Sequence, residues 1–226
     1  MSGAVITGTA DGGVWAKTVA AGFAGTNRVA REWQDANVGK NFVLPELPDA
    51  VGAVLSAAGE PWTSLSPLLL VPQHAVAMPG GSMPAMGDLL CVARHNTGLM
   101  TIAVEGGTDA GFGADLARWQ RETPSGRKTR LAFLSELLGV ALPLPDDLRY
   151  LFLARLASAV IEAERFHAGA ATLLIHSFSA GNTGFEEFVR FATVMGAGQP
   201  ASVNVPLALG KRGGIERFAL WVGNTG

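Results

Sequence analysis

Two acidic residues, Asp88 and Glu105, flank a short reversal of the chain, GDLLCVARHNTGLMTIAVEGGTD at 87–109. Two apolar runs, 89–94 and 99–105, are separated by His95, Asn96, Thr97 and Gly98, a four-residue turn signal. This pattern predicts an antiparallel hairpin. With Arg94 facing Leu99, Asp88 falls opposite Glu105. Directly opposed Cβ atoms lie about 4.5–5.5 Å apart in such a pair. Two carboxylates that close repel unless one is protonated or a cation lies between them. A divalent metal with oxygen ligands is the natural partner. The alternative is that each acid ends its strand in water.

The hairpin needs elements to hold it. Leu90 and Val92 share a face with Asp88, while Leu89, Cys91 and Ala93 take the other, and both faces are apolar. A sheet covered on both sides is therefore expected. Upstream, Pro48 and Asp49 suit a helix start, with Val51, Val54 and Leu55 on one face. The run 65–71 is broken by Pro67 and ended by Pro72, as an edge strand would be. PGGSMPAMG at 79–87 reads as a loop leading to Asp88. Downstream, helical spacing marks 115–122 and 131–138, the second stopped by Gly139. The longest helix is expected from Asp146 to about Ala168. Its apolar stripe holds Leu148, Phe152, Leu156, Ala159, Val160, Ala163 and Phe166. Arg155, Ser158, Glu162 and Arg165 form a polar stripe, with Glu162 and Arg165 read as a solvated i,i+3 pair. A strand at 170–175, a helix at 185–195 and a strand at 217–222 complete an α/β sandwich: a mixed central sheet flanked by helices. Residues 1–44 read as an extension with a helical turn, RVAREWQD, anchored by Trp33. Residues 45–226 read as a single domain.

The 226 residues are 48% hydrophobic and 16% charged, a globular composition. A net charge of −2 exerts no global pull on nucleic acid, so such binding must rest on a local patch. Arg118, Arg121, Arg127, Lys128 and Arg130 supply one candidate patch of phosphate contacts, diluted by Asp115 and Glu122. Lys211, Arg212 and Arg217 supply a weaker one. Cys91 is the only cysteine, which excludes a disulfide framework and a cysteine-based zinc site. His74, His95 and His167 show no metal-ligand spacing. With no signal-peptide pattern and no membrane-spanning apolar run, a cytoplasmic, bacterial-type protein is expected.

The acids sit within a wider pattern. VEGGTDAGFG at 104–113, RYLFLARLASAVIEAERF at 149–166 and HSF at 176–178 follow one another in order. Together with the helix, the hairpin and its Asp and Glu, this resembles the PD-(D/E)XK nuclease-like superfamily. More narrowly, it is similar to a bacterial family built around a VEGK…FG motif, over roughly 45–195. The resemblance implies a restriction-endonuclease-like fold, with Asp88 and Glu105 as ligands of Mg²⁺ or Mn²⁺. It places the Gly106 carbonyl near the same ion and Glu46 as a candidate helix-borne acid. The activity implied is metal-assisted attack of water on a phosphodiester.

One departure bears on that activity. The motif's lysine falls at position 107, where this chain has Gly107. Glycine can neither activate the water nor stabilise transition-state charge. Either a cation has migrated in, with Lys128 or Arg127 the candidates, or the site is degenerate and the domain binds without cutting. The degenerate reading is the leading expectation. A further alternative is a serine hydrolase: AATLLI followed by HSFSAG invites a nucleophile at Ser179, or less suitably at Ser177. No Asp-then-His order follows, since His176 is the last histidine.

Overall fold

The computed structural model describes residues 6–7, 28–36, 45–122 and 126–224. Its centre is a seven-stranded sheet. In chain order the elements are β1 (Ile6–Thr7), α1 (Arg28–Asp35), α2 (Asp49–Ala57), β2 (Ser66–Pro72), β3 (Ala75–Val76), β4 (Ala85–Met86), β5 (Leu89–His95) and β6 (Gly98–Gly107). There follow α3 (Leu116–Glu122), α4 (Arg127–Leu138), α5 (Tyr150–Phe166), β7 (Ala170–Ser177), α6 (Phe185–Val194), β8 (Leu207–Arg212) and β9 (Ile215–Val222). The sheet runs β1-β2-β5-β6-β7-β9-β8, and β3 pairs with β4 in a separate two-stranded ribbon. The pairs β6–β7 and β7–β9 are parallel and the others antiparallel. The mixed α/β architecture expected from the apolar periods is therefore the observed one.

The parallel centre is apolar because it is covered twice. Ala103, Leu173, Ile175, Ala219 and Trp221 pack against α3, α4, α5 and α6. Leu89, Cys91, Ile102, Val104, Leu174 and Leu220 pack against Val29 and Trp33 of α1 and Val51 and Leu55 of α2. Trp33 is fully buried, so it anchors its helix as its isolated position in a polar run suggested. The rest of the 1–44 extension lies outside the described residues, apart from the pairing of β1 with β2.

Three local readings are corrected. The stretch 79–87 is more than a loop: its end forms β4, which folds back on β3 as a strap. A strand, β8, precedes the last one, and its bulge between Ala208 and Lys211 hides the alternating period a strand would show. The polar stripe of the long helix is buried over most of its length: Arg155, Ser158 and Glu162 are all below a tenth exposed, while Arg165 is exposed and forms the expected pair with Glu162 at 2.7 Å. The strap explains this, because His74 at its foot bonds Glu162 through Nε2 at 3.0 Å.

Candidate functional site

The hairpin forms in the expected register. Arg94 faces Leu99, and Leu89 faces Val104, which carries Asp88 to the position beside Glu105. Glu105 is buried and accepts a hydrogen bond from the backbone N–H of Asp88. The Asp88 carboxylate accepts the Gly106 N–H at 2.8 Å. Burial pushes the Glu105 carboxyl up to about 7, against the opposing pull of Arg155, and the negative charge of Asp88 adds to the rise.

The cation beside Glu105 comes from α5. Arg155 donates from Nε to Glu105 Oε2 in a buried ion pair. Arg155 reaches the sheet because its stem lies along Gly87, where a Cβ would sit 3.6 Å from Arg155 Cδ. The expected counter-charge is thus met by a guanidinium from the helix across the layer. Sequence spacing placed Arg155 in the polar stripe but contained no signal that the stripe faced the acids. Lys128, the candidate migrated cation, is exposed on α4 instead.

Position 107 is tightly packed. A Cβ on Gly107 would lie 3.2 Å from Phe112 Cζ and 3.2 Å from the backbone Cα of Ser177. Both contacts are tighter than an ordinary Cβ contact, so a side chain at 107 would require Phe112 or the Ser177 backbone to give by a few tenths of an ångström. Glu46 is exposed in the segment ahead of α2. Among the described residues, no group of three acid, histidine or cysteine side chains converges to hold a metal. The donor chemistry agrees: one carboxylate is committed to a guanidinium and the other to a backbone N–H. The residues as arranged are a poor fit to a divalent ion, because an ion between the two carboxylates would sit against the charge of Arg155.

The basic patch divides. Arg118 and Arg121 of α3 and Lys128 of α4 are exposed. Arg130 is buried, which overturns its reading as a surface phosphate contact. Its Nε donates to Pro79 O at 2.5 Å, and Nη2 donates to Met78 O and Met83 O at 3.0 and 3.3 Å. Its Nη1 donates to Tyr150 Oη at 3.0 Å. Arg130 therefore staples the strap to α4 and α5. Arg127 lies over the Trp119 ring, 4.5 Å from its centroid, and Trp119 stacks on Tyr150 at 4.0 Å. Arg217 of the weaker cluster is also buried, donating to carbonyls of Leu138, Leu209 and Gly210.

Beneath the strap lies a cavity of roughly 620 Å³. Its walls are the strap at 80–86, Trp119, Arg127 and Arg130, and the face of α5 that runs from Tyr150 to Arg155. No local sequence signal announces it, since its two sides are far apart in the chain.

The two serine candidates differ in their surroundings. Ser179 donates to Thr183 Oγ1 at 2.9 Å and accepts the Thr183 N–H at 3.1 Å, closing the turn before α6. Ser177 Oγ is buried with no hydrogen-bond partner among the described residues. Neither hydroxyl is bonded to a histidine there. No helix among the described residues is long and apolar enough to cross a membrane.

A family model matches residues 18–225, that of a domain of unknown function, DUF6946. Neither the curated proteins nor the solved structures yield a match.

Proposed function

We propose that this chain, which belongs to the DUF6946 family, is a non-catalytic binding module on a PD-(D/E)XK-like scaffold. The observation that carries the reading is the buried Arg155–Glu105 pair. It supplies the positive charge an acid pair requires, so no metal is needed to hold Asp88 and Glu105 together. Gly107 supports the same reading, since the chain lacks the lysine that hydrolysis in this fold would use and the position is tightly packed against Phe112 and Ser177. Arg118, Arg121 and Lys128, exposed near one corner, offer a surface to a nucleic-acid backbone.

Calorimetric titration with Mg²⁺ and Mn²⁺ tests the proposal, followed by incubation with single- and double-stranded DNA and RNA. The expected result is no saturable metal heat and no cleavage. Nucleic-acid binding, where it occurs, should weaken as salt rises and again on replacing Arg118 and Arg121 with Gln. The competing reading is a metal-dependent phosphodiesterase in which Arg155 serves as the migrated cation, and its place beside Glu105 is what favours it. Cleavage that needs Mn²⁺ and is abolished by both Asp88→Ala and Glu105→Ala would replace the binding-module reading with that one.

A further inference from the structure

We infer that the cavity beneath the strap binds a small organic phosphate, held at its anionic end by Arg127 and Arg155. Three arginines line this cavity and no acidic side chain does. Among the described residues, the only hydrogen bond of the Arg155 guanidinium is the one from Nε to Glu105. Both of its terminal nitrogens, with four N–H donors, remain for a ligand. The Arg127 guanidinium makes no hydrogen bond among the described residues, and its Nη1 is buried without a partner. A buried donor left without a partner is costly, more so when charged, so native proteins seldom keep one without a use.

The setting points to a ligand more than to an accident of packing. Arg127 is held flat by the Trp119 ring, which is itself backed by Tyr150. That stack fixes the guanidinium before any ligand arrives, which lowers the ordering cost of binding. Arg130 adds charge to the wall but has its donors committed to the strap carbonyls and Tyr150, so it serves as the staple of the roof. Glu105 offsets the charge of Arg155, which leaves two arginines to be balanced. A phosphate monoester, with two charges and three acceptor oxygens, suits two guanidinium forks better than a carboxylate does. The volume is in the range of small-molecule sites, roughly 300–1,000 Å³, and far exceeds what an inorganic ion fills. Apolar side chains from the strap and α5, Met83 and Leu151 among them, would cover the carbon body.

The test uses the full chain. Thermal shift and calorimetry are run with phenyl phosphate, adenosine 5′-monophosphate, benzoate and inorganic phosphate. At least one organic phosphate should raise Tm and bind ten-fold or more tightly than both inorganic phosphate and benzoate. Arg127→Gln should weaken that binding at least ten-fold, and Arg127→Lys, which keeps the charge on the Trp119 ring, should recover part of it. Arg94→Gln, exposed on β5 and outside the cavity lining, should leave it unchanged. Phenyl phosphate alone binding would identify a general phosphate monoester, and the mononucleotide alone a nucleotide. The inference is overturned if neither organic phosphate outbinds the inorganic ion. It is equally overturned if affinity survives Arg127→Gln, or falls as far in Arg94→Gln. Metal-dependent cleavage would defeat the preceding proposal and leave this one standing, because no metal enters these measurements.

Discussion

Glu105 shows how one side chain can be both held and costly. Its folded carboxyl binds a proton near pH 7, compared with an ordinary 4.5, chiefly because it is buried. Between those values the folded state holds more protons than the unfolded state, so raising the pH through that window removes stability. For one group the slope cannot exceed about 1.4 kcal/mol per pH unit. Glu162 acts oppositely. Burial works to raise its carboxyl, but the hydrogen bond from His74 and the charges of His74 and Arg165 outweigh it and hold the carboxyl low. Its contribution is present above the ordinary carboxylate range and lost as acid titrates it. Urea unfolding across pH 3–8 should therefore show the Glu105 decline on the neutral side, and Glu105→Gln should flatten it without touching the acid limb. The same residue-level reasoning applies to position 107. Restoring the motif's lysine with Gly107→Lys should lower stability by about 1–3 kcal/mol through overpacking against Phe112 and Ser177, and should confer no cleavage. Chemical denaturation and a nuclease assay on the same variant would check both halves.

At the scale of elements, α5 and the strap decide the site. The helix packs its apolar stripe on β6 and β7 and turns its polar stripe toward the strap. The strap is drawn down by Arg130 at its tip and by His74–Glu162 at its foot. Its approach to α4 depends on glycine. Gly80 has a φ of +85°, and a Cβ there would sit 2.2 Å from the carbonyl oxygen of Gly126. Gly80→Ala should therefore lift the strap while the sheet stays intact. Hydrogen exchange should rise about ten-fold or more over 79–86, with β6 and β7 unchanged, and organic phosphate binding should weaken with it. The amphipathic period of α5 was legible from its residues. What its polar side would meet was not, because the partner segment lies far away in sequence and carries no periodic signal of its own.

The whole molecule is a sheet with a core on each side, and the larger core centres on aromatic side chains. Phe152 meets Phe112, Phe188 and Phe191 at centroid separations of 4.9, 6.1 and 5.6 Å. Phe152→Ala should cost about 3–5 kcal/mol, measured by urea or thermal unfolding, since rings on three sides cannot all collapse into the space. The loss should be global, because α5 ties the parallel strands to α6 through this residue. A surface change such as Arg121→Gln should stay within about 0.5 kcal/mol.

From sequence alone came the mixed sheet, the hairpin and its register, the long helix and the burial of Trp33. These follow from local periods, turn residues and the alternation of side chains along a strand, all of which are short-range properties of the chain. The tertiary structure alone decided that Arg155 faces Glu105, that Arg130 is a buried staple and that a cavity lies under the strap. Each of these depends on which distant surfaces come together. A charged residue reads the same in a linear sequence whether water or another charge will surround it, and only packing distinguishes the two.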